Sequence, residues 1–250
     1  MGKVISIINN KGGCSKTTTT FNLGAELANM GKEVLIIDLD QQASLSVYVG
    51  LDPLSEYANI TDIFNGNMNI GDVIIPMGAP HLELIPSNIE FSKIEMYLLN
   101  KKDKINILKK VLTKIVDKYD YILLDNAPSL NTVSLNSLIA ADYVIAPIDA
   151  SYMSVRAMEI LQKTVEEIKE YNKNLKDIKV LISMYSNTLH SKEVVNMLKE
   201  KYYVFPEYVH TSVKFKNAVQ QFKSIRQYAG KDFAGTKAYS TLAKEVATWQ

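Results

Sequence analysis

The chain has 250 residues, 47% of them hydrophobic, enough for one core that buries roughly 70–75% of the unfolded surface. Lys and Arg (28) balance Asp and Glu (27) to a formal charge of +1, which excludes a histone-like polycation and a disordered acidic tail and confines any nucleic-acid surface to a local patch. One cysteine, Cys14, excludes an internal disulfide, three scattered histidines offer no zinc-ligand spacing, and no stretch reaches the ~20 apolar residues of a membrane span, so a cytoplasmic setting is expected.

Residues 4–8 are apolar on both alternating faces and predict a strand; the run is too short for the apolar core of a signal peptide. Apolar spacing of three to four residues over 18–30 predicts a helix, and 34–37 a second strand. Residues 44–100, punctuated by Gly66, Gly71, Pro76, Gly78, Pro80 and Pro86, read as loops and short helices, with one strand at 81–85. Beyond them come a helix at 105–116, a strand at 121–124, a helix at 131–140, a strand at 143–148, a helix at 153–171, a strand at 178–182, and helices at 191–201 and 235–246. Strands apolar on both faces are covered by helices on both sides, so the expected fold class is α/β: a doubly wound, mostly parallel β-sheet flanked by helices. No linker, repeat or low-complexity tract divides the chain, which reads as a single domain over 1–250.

Between the first strand and the first helix lies Asn10-Lys11-Gly12-Gly13-Cys14-Ser15-Lys16-Thr17. A strand that turns through glycines into a helix N-terminus aims several backbone N–H groups and the positive end of the helix dipole at one point, which suits a polyphosphate. Lys16 would set its ammonium on the β- and γ-phosphates, and the Thr17 hydroxyl would ligate Mg²⁺. The pattern G-x-x-x-x-G-K-[ST] is broken at Asn10 and Ser15. Taken alone, the run could also be a plain strand-to-helix turn.

Lys11 beside Gly12-Gly13 changes the reading, because K-G-G-x-x-K-T-T resembles the deviant Walker A loop of the ParA/MinD family of P-loop ATPases. Asp38-Leu39-Asp40-Gln41-Gln42 resembles that family's D-x-D-P-Q motif, with Gln41 where proline is usual. The run 121–129, ending Asp125-Asn126-Ala127-Pro128-Ser129, resembles its Walker B strand and D-x-P-P-S turn, with Ala127 in place of the first proline. The C-terminal stretch around Ala238-Tyr239 and Leu242-Ala243-Lys244-Glu245 also resembles the family's last helix, so the resemblance spans nearly the whole chain and points to the ParA branch. It implies that Gly12, Gly13, Cys14, Ser15, Lys16, Thr17 and Thr18 wrap the phosphates of ATP, and that Lys11 reaches the partner subunit's ATP in a nucleotide-sandwich homodimer. It further implies that Asp40 positions the attacking water, and that Asp125 and Asp38 support the Mg²⁺ shell with Thr17. A serine in a position that needs positive φ would cost about 1–2 kcal/mol, which singles out Ser15.

From 209 to 237 the basic residues Lys214, Lys216, Lys223, Arg226, Lys231 and Lys237 face only Asp232. Such stretches are commonly solvated faces. The family resemblance makes Lys214, with Lys216, Lys223 and Arg226, candidates for sequence-independent binding of double-stranded DNA backbone, and implies nucleoid association in the ATP state. It also implies a ParB-type centromere-binding adaptor that accelerates hydrolysis. No helix-turn-helix extension precedes Lys3, so centromere recognition is expected of the adaptor. Residues 184–185 and 205–211 fall where the family cradles the base. The alternatives are a MinD-like membrane ATPase, for which no basic amphipathic C-terminal helix is evident, another cargo-positioning ATPase, and a P-loop small-molecule ligase or kinase.

Overall fold

The computed structural model describes residues 2–249; the first and last residues of the expected 1–250 domain lie outside them. In chain order the strands are β1 (Lys3–Ile7), β2 (Val34–Leu39), β3 (Ile75–Pro76), β4 (Leu82–Ile85), β5 (Tyr121–Asn126), β6 (Tyr143–Asp149), β7 (Ile178–Ser183) and β8 (Tyr203–Val204). They form one sheet in the order β3-β4-β2-β5-β1-β6-β7-β8. Every pairing is parallel except β3 with β4 at the edge.

The helices are α1 (Lys16–Asn29), α2 (Ser44–Val47), α3 (Ile60–Asn65), α4 (Ile94–Leu98), α5 (Ile107–Leu112), α6 (Thr132–Ala140), α7 (Tyr152–Ile168), α8 (Leu189–Lys201), α9 (Val213–Gln220), α10 (Ile225–Ala229) and α11 (Ala234–Val246). Two apolar layers sandwich the sheet, as the two-sided strands require. Along β2, Leu35, Ile37 and Leu39 pack into one layer with residues of α3 to α8, whereas Val34 and Ile36 pack into the other with α1 and α11. Gly24 lies inside α1, where a Cβ would come within 3.0 Å of the Ile36 side chain. Its absence lets α1 settle close on the sheet, offsetting the roughly 1 kcal/mol that a helical glycine costs.

The six expected strands are all present, within two residues of their expected ends. The expected 105–116 helix shrinks to α5, because the chain breaks into a 3₁₀ turn at Val116–Lys118 to enter β5. Strands β3 and β8 span two residues each, too short to leave an alternating pattern.

The chain order reverses at β1, with β5 and β6 on its two sides. In such sheets the crevice beyond the carboxyl ends of the strands at that reversal is where ligands are held. The ends of β1, β2, β5, β6 and β7 deliver the glycine loop, Asp38, Asp125, Asp149 and Ser183 to that edge.

Candidate functional site

The loop after β1 is braced from beneath. Fully buried Asn9 donates through Nδ2 to the Pro147 carbonyl (2.8 Å) and accepts the Lys11 amide (3.0 Å), and Ser183 Oγ donates to the Cys14 carbonyl (2.9 Å). A Cβ on Gly12 or Gly13 would meet no protein atom within 4 Å, so the space above the two glycines belongs to whatever approaches from outside. Gly13 has φ 71°, and Ser15, the N-cap of α1, has φ 69° and ψ 27° with no side-chain capping bond. Ser15 therefore sits in the left-handed region its position was expected to demand. The first amide groups of α1 are left facing the crevice without a side-chain cap, as an anion-binding helix end requires.

Lys16 is buried, and its ammonium donates to the Lys11 carbonyl (3.0 Å) across the mouth of the loop. Cys14 is buried against the same groups; burial pushes its thiol up, and it acts as filler under the loop. Lys11 turns the other way. Its Nζ donates to both carboxylate oxygens of Asp149 (2.8 and 2.8 Å), to Ser151 Oγ (3.0 Å) and to Ser154 Oγ (3.2 Å). Burial works to raise the Asp149 carboxyl, but the bonds from Lys11 and Ser154 outweigh it and hold it below its ordinary value.

Parallel register sets Asp38 beside Asp125, as Cα partners on β2 and β5. Both are fully buried. Asp38 accepts the Asp40 amide (3.1 Å) on one oxygen and the amide and hydroxyl of Ser46 (2.9 and 2.8 Å) on the other. Burial pushes Asp38 up to about 6, despite those bonds. Asp125 is raised as well, by burial first and by Asp38 second, while the Thr17 and Thr20 hydroxyls and Lys16 oppose the rise. Its Oδ1 accepts from Thr20 Oγ1 (3.0 Å), but Oδ2 is buried without a hydrogen-bond partner among the described residues. An orphaned carboxylate oxygen beside a threonine hydroxyl and a second carboxylate fits a hard divalent cation with its water shell.

The loop from Gly12 to Thr18 opens onto a cavity of ≈450 Å³, lined also by Asp40, Tyr48, Met184, Val209, His210, Thr211, Phe215 and Lys216 among others. Of the residues expected to cradle the base, Met184 and 209–211 line this cavity, whereas Phe205 is core. A larger depression of ≈780 Å³ lies at the opposite end of the sheet. Lys169 and Lys201 on its wall stand at the C-terminal ends of α7 and α8, where cations complement the helix dipole.

The four basic residues expected at DNA are not equivalent. Lys214 and Lys223 are exposed; the Lys214 ammonium rests over the Phe233 ring (4.6 Å from its centroid). Lys216 is exposed on the wall of the cavity itself. Arg226 is engaged elsewhere: it forks onto Glu26 (2.7 and 2.6 Å), whose Oε2 also accepts from Ser240 Oγ (2.7 Å). Glu26 is 3% exposed, and a carboxylate so buried needs its counter-charge, so this guanidinium ties α10 to α1 and α11.

Asn9, Asp149, Ser151 and Ser154 escaped the sequence reading. Asp149 carries a usable signal, since it stands at the carboxyl end of an apolar strand, much as Asp125 does; Asn9 and the two serines carry none.

Residues 2–178 match the family model described as an AAA domain. Sporulation initiation inhibitor protein Soj of Bacillus subtilis (strain 168) is 32% identical over 252 residues, covering 99% of each chain. Chromosome-partitioning ATPase Soj of Treponema pallidum (strain Nichols) is 32% identical over 250 residues, covering 98% of this chain and 97% of the relative. Cobyrinic acid a,c-diamide synthase from Mycobacterium smegmatis, solved with a bound ATP analog and magnesium, is similar with a TM-score of 0.86 and 26% identity over 99% of this chain and 95% of that one. No helix among the described residues is long and apolar enough to cross a membrane. With a family model spanning well over half of it and Soj proteins aligned from end to end, the chain belongs to the ParA family of P-loop ATPases.

Proposed function

We propose that the chain is a Mg²⁺-dependent ATP hydrolase of a DNA partition system, in which ATP closes two copies face to face and hydrolysis releases them. The observation that carries this reading is Lys11: a second ammonium in the phosphate loop, turned away from its own cavity onto Asp149 by a side-chain ion pair that can be exchanged for another anion. In a face-to-face homodimer that ammonium reaches the triphosphate of the opposing copy, so charge neutralisation is complete only in the dimer.

Within one copy, Gly12 to Thr18 wrap the phosphates and Lys16 exchanges its carbonyl partner for phosphate oxygens. Thr17, Asp125 and Asp38 would hold Mg²⁺ and its waters, and the ion would supply charge neutralisation of the triphosphate. Asp40, fixed by its own amide on Asp38 and lining the cavity, orients the attacking water. The dimer then presents Lys214 and Lys223 from both copies to DNA backbone, without base readout, and so associates with the nucleoid. A ParB-type centromere-binding adaptor accelerates hydrolysis and returns monomers.

The likeness to a P-loop synthase supports a second reading, ATP-dependent activation of a small carboxylic acid. Steady-state ATP turnover separates the two. The partition reading expects slow basal turnover that rises with double-stranded DNA and an adaptor on its site, and ATP-dependent DNA binding whose salt slope falls with Lys214→Ala. Turnover indifferent to both additions, with DNA affinity unmoved by ATP, overturns it.

A further inference from the structure

We infer that Tyr48 is a nucleotide-positioning residue whose phenol hydrogen-bonds the α-phosphate end of the nucleotide. The inference rests on reading the ≈450 Å³ cavity as the ATP site and adds a contact that the glycine loop does not contain. Tyr48 closes α2, the single turn that follows Asp40, and lines that cavity together with Gly12 to Thr18. Its hydroxyl lies 3.2 Å from Thr18 Oγ1. Two hydroxyls in contact share one of their two protons, which leaves the other for an acceptor that arrives in the cavity.

Thr18 marks where that acceptor would be. The glycine-loop amides cradle the α- and β-phosphates and Lys16 reaches the β- and γ-phosphates, so Thr18, two residues past Lys16 in the first turn of α1, stands at the α-phosphate end. The Thr18–Tyr48 pair stands at that point. The ring is held edge-on to Phe21, with centroids 6.0 Å apart at 86°, so the hydroxyl is aimed rather than free to swing. Burial raises the Tyr48 phenol, which keeps it a donor at neutral pH. The same short turn is anchored through Ser46, whose amide and hydroxyl bond Asp38 (2.9 and 2.8 Å). One turn of helix therefore spans the site from the strand-end carboxylate to the α-phosphate end.

The test is calorimetric titration of wild type and Tyr48→Phe with ATP, ADP, 2′-deoxy-ATP and pyrophosphate, each with Mg²⁺. The variant keeps the ring and its packing on Phe21 and loses only the hydroxyl. The expected result is a loss of about three- to tenfold for ATP, ADP and 2′-deoxy-ATP alike, the worth of one hydrogen bond, with pyrophosphate unchanged. An equal loss for pyrophosphate means the hydroxyl only supports the loop and overturns the inference. So does a loss that vanishes with 2′-deoxy-ATP, which would place the contact on the ribose, and so does a variant that matches wild type on every ligand. A wild type that binds none of the four removes the ATP-site reading itself, and the inference with it.

Discussion

Replacing Asp149 with Asn tests whether Lys11 must leave its own subunit for two copies to pair. In the free chain the ammonium makes two 2.8 Å bonds to Asp149, and the side chains are 32% and 22% exposed. A charge-assisted bond is worth about 1.5–3 kcal/mol, and partial exposure lowers the ion pair to about 1–2. Asn keeps the shape and one acceptor for Lys11 but removes the charge, so about 1 kcal/mol of the restraint goes per copy. Both copies must release a lysine, so pairing with a non-hydrolysable ATP analogue and Mg²⁺ should tighten by about 2 kcal/mol, or roughly 30-fold in the dimer dissociation constant. Sedimentation equilibrium reads this directly. Lys11→Ala should weaken pairing, and adding Asp149→Asn to it should restore nothing, because the benefit passes through the lysine. If Asp149→Asn changes the dimer constant by less than twofold, or weakens it, Lys11 does not exchange Asp149 for the partner's phosphates and the assembly argument fails.

Two other consequences are measurable on the free chain. Ser15→Gly removes left-handed strain of about 1–2 kcal/mol and adds back about 0.5–1 in unfolded-chain entropy, so the variant should melt about 1–3 °C higher by calorimetry; an equal or lower melting temperature would mean that the serine pays no such penalty. Asp38 gives a pH dependence. Its folded value is raised from 3.8 to about 6, so its stabilising protonation is complete below 3.8 and is lost as pH rises through about 6. Over that window the metal-free chain should lose about 3 kcal/mol of unfolding free energy to this one group, and Asp125, raised for the same first reason, adds in the same direction. Urea unfolding without Mg²⁺ at pH 5 and 7.5 should therefore show the lower stability at 7.5; the reverse order would show that the pair is not buried as described.

What was legible in the sequence was whatever is local. Two-sided apolar runs gave the central strands because a strand covered on both faces has no polar position to spare, and the glycine loop with Lys11 and Lys16 is contiguous from Lys11 to Thr18. Asp38, Asp40 and Asp125 could be read because each lies at or just past the carboxyl end of such a strand. The fold adds what sequence separation hides. Asp149 lies 138 residues from Lys11, and Arg226 lies 200 from Glu26. The second case changes a reading: on the sequence Arg226 belongs to a basic stretch facing one aspartate, yet its carboxylate comes from the last turn of α1. Basic stretches report the charges near in sequence and say nothing of the ones near in space. Lys11 reverses the case, since its motif announces a free cation while the fold supplies a carboxylate and two serine hydroxyls that restrain it. On the proposed reading, a loop whose defining ammonium is occupied in the single chain acts only after an exchange of partners, and that exchange would couple nucleotide state to the number of copies present.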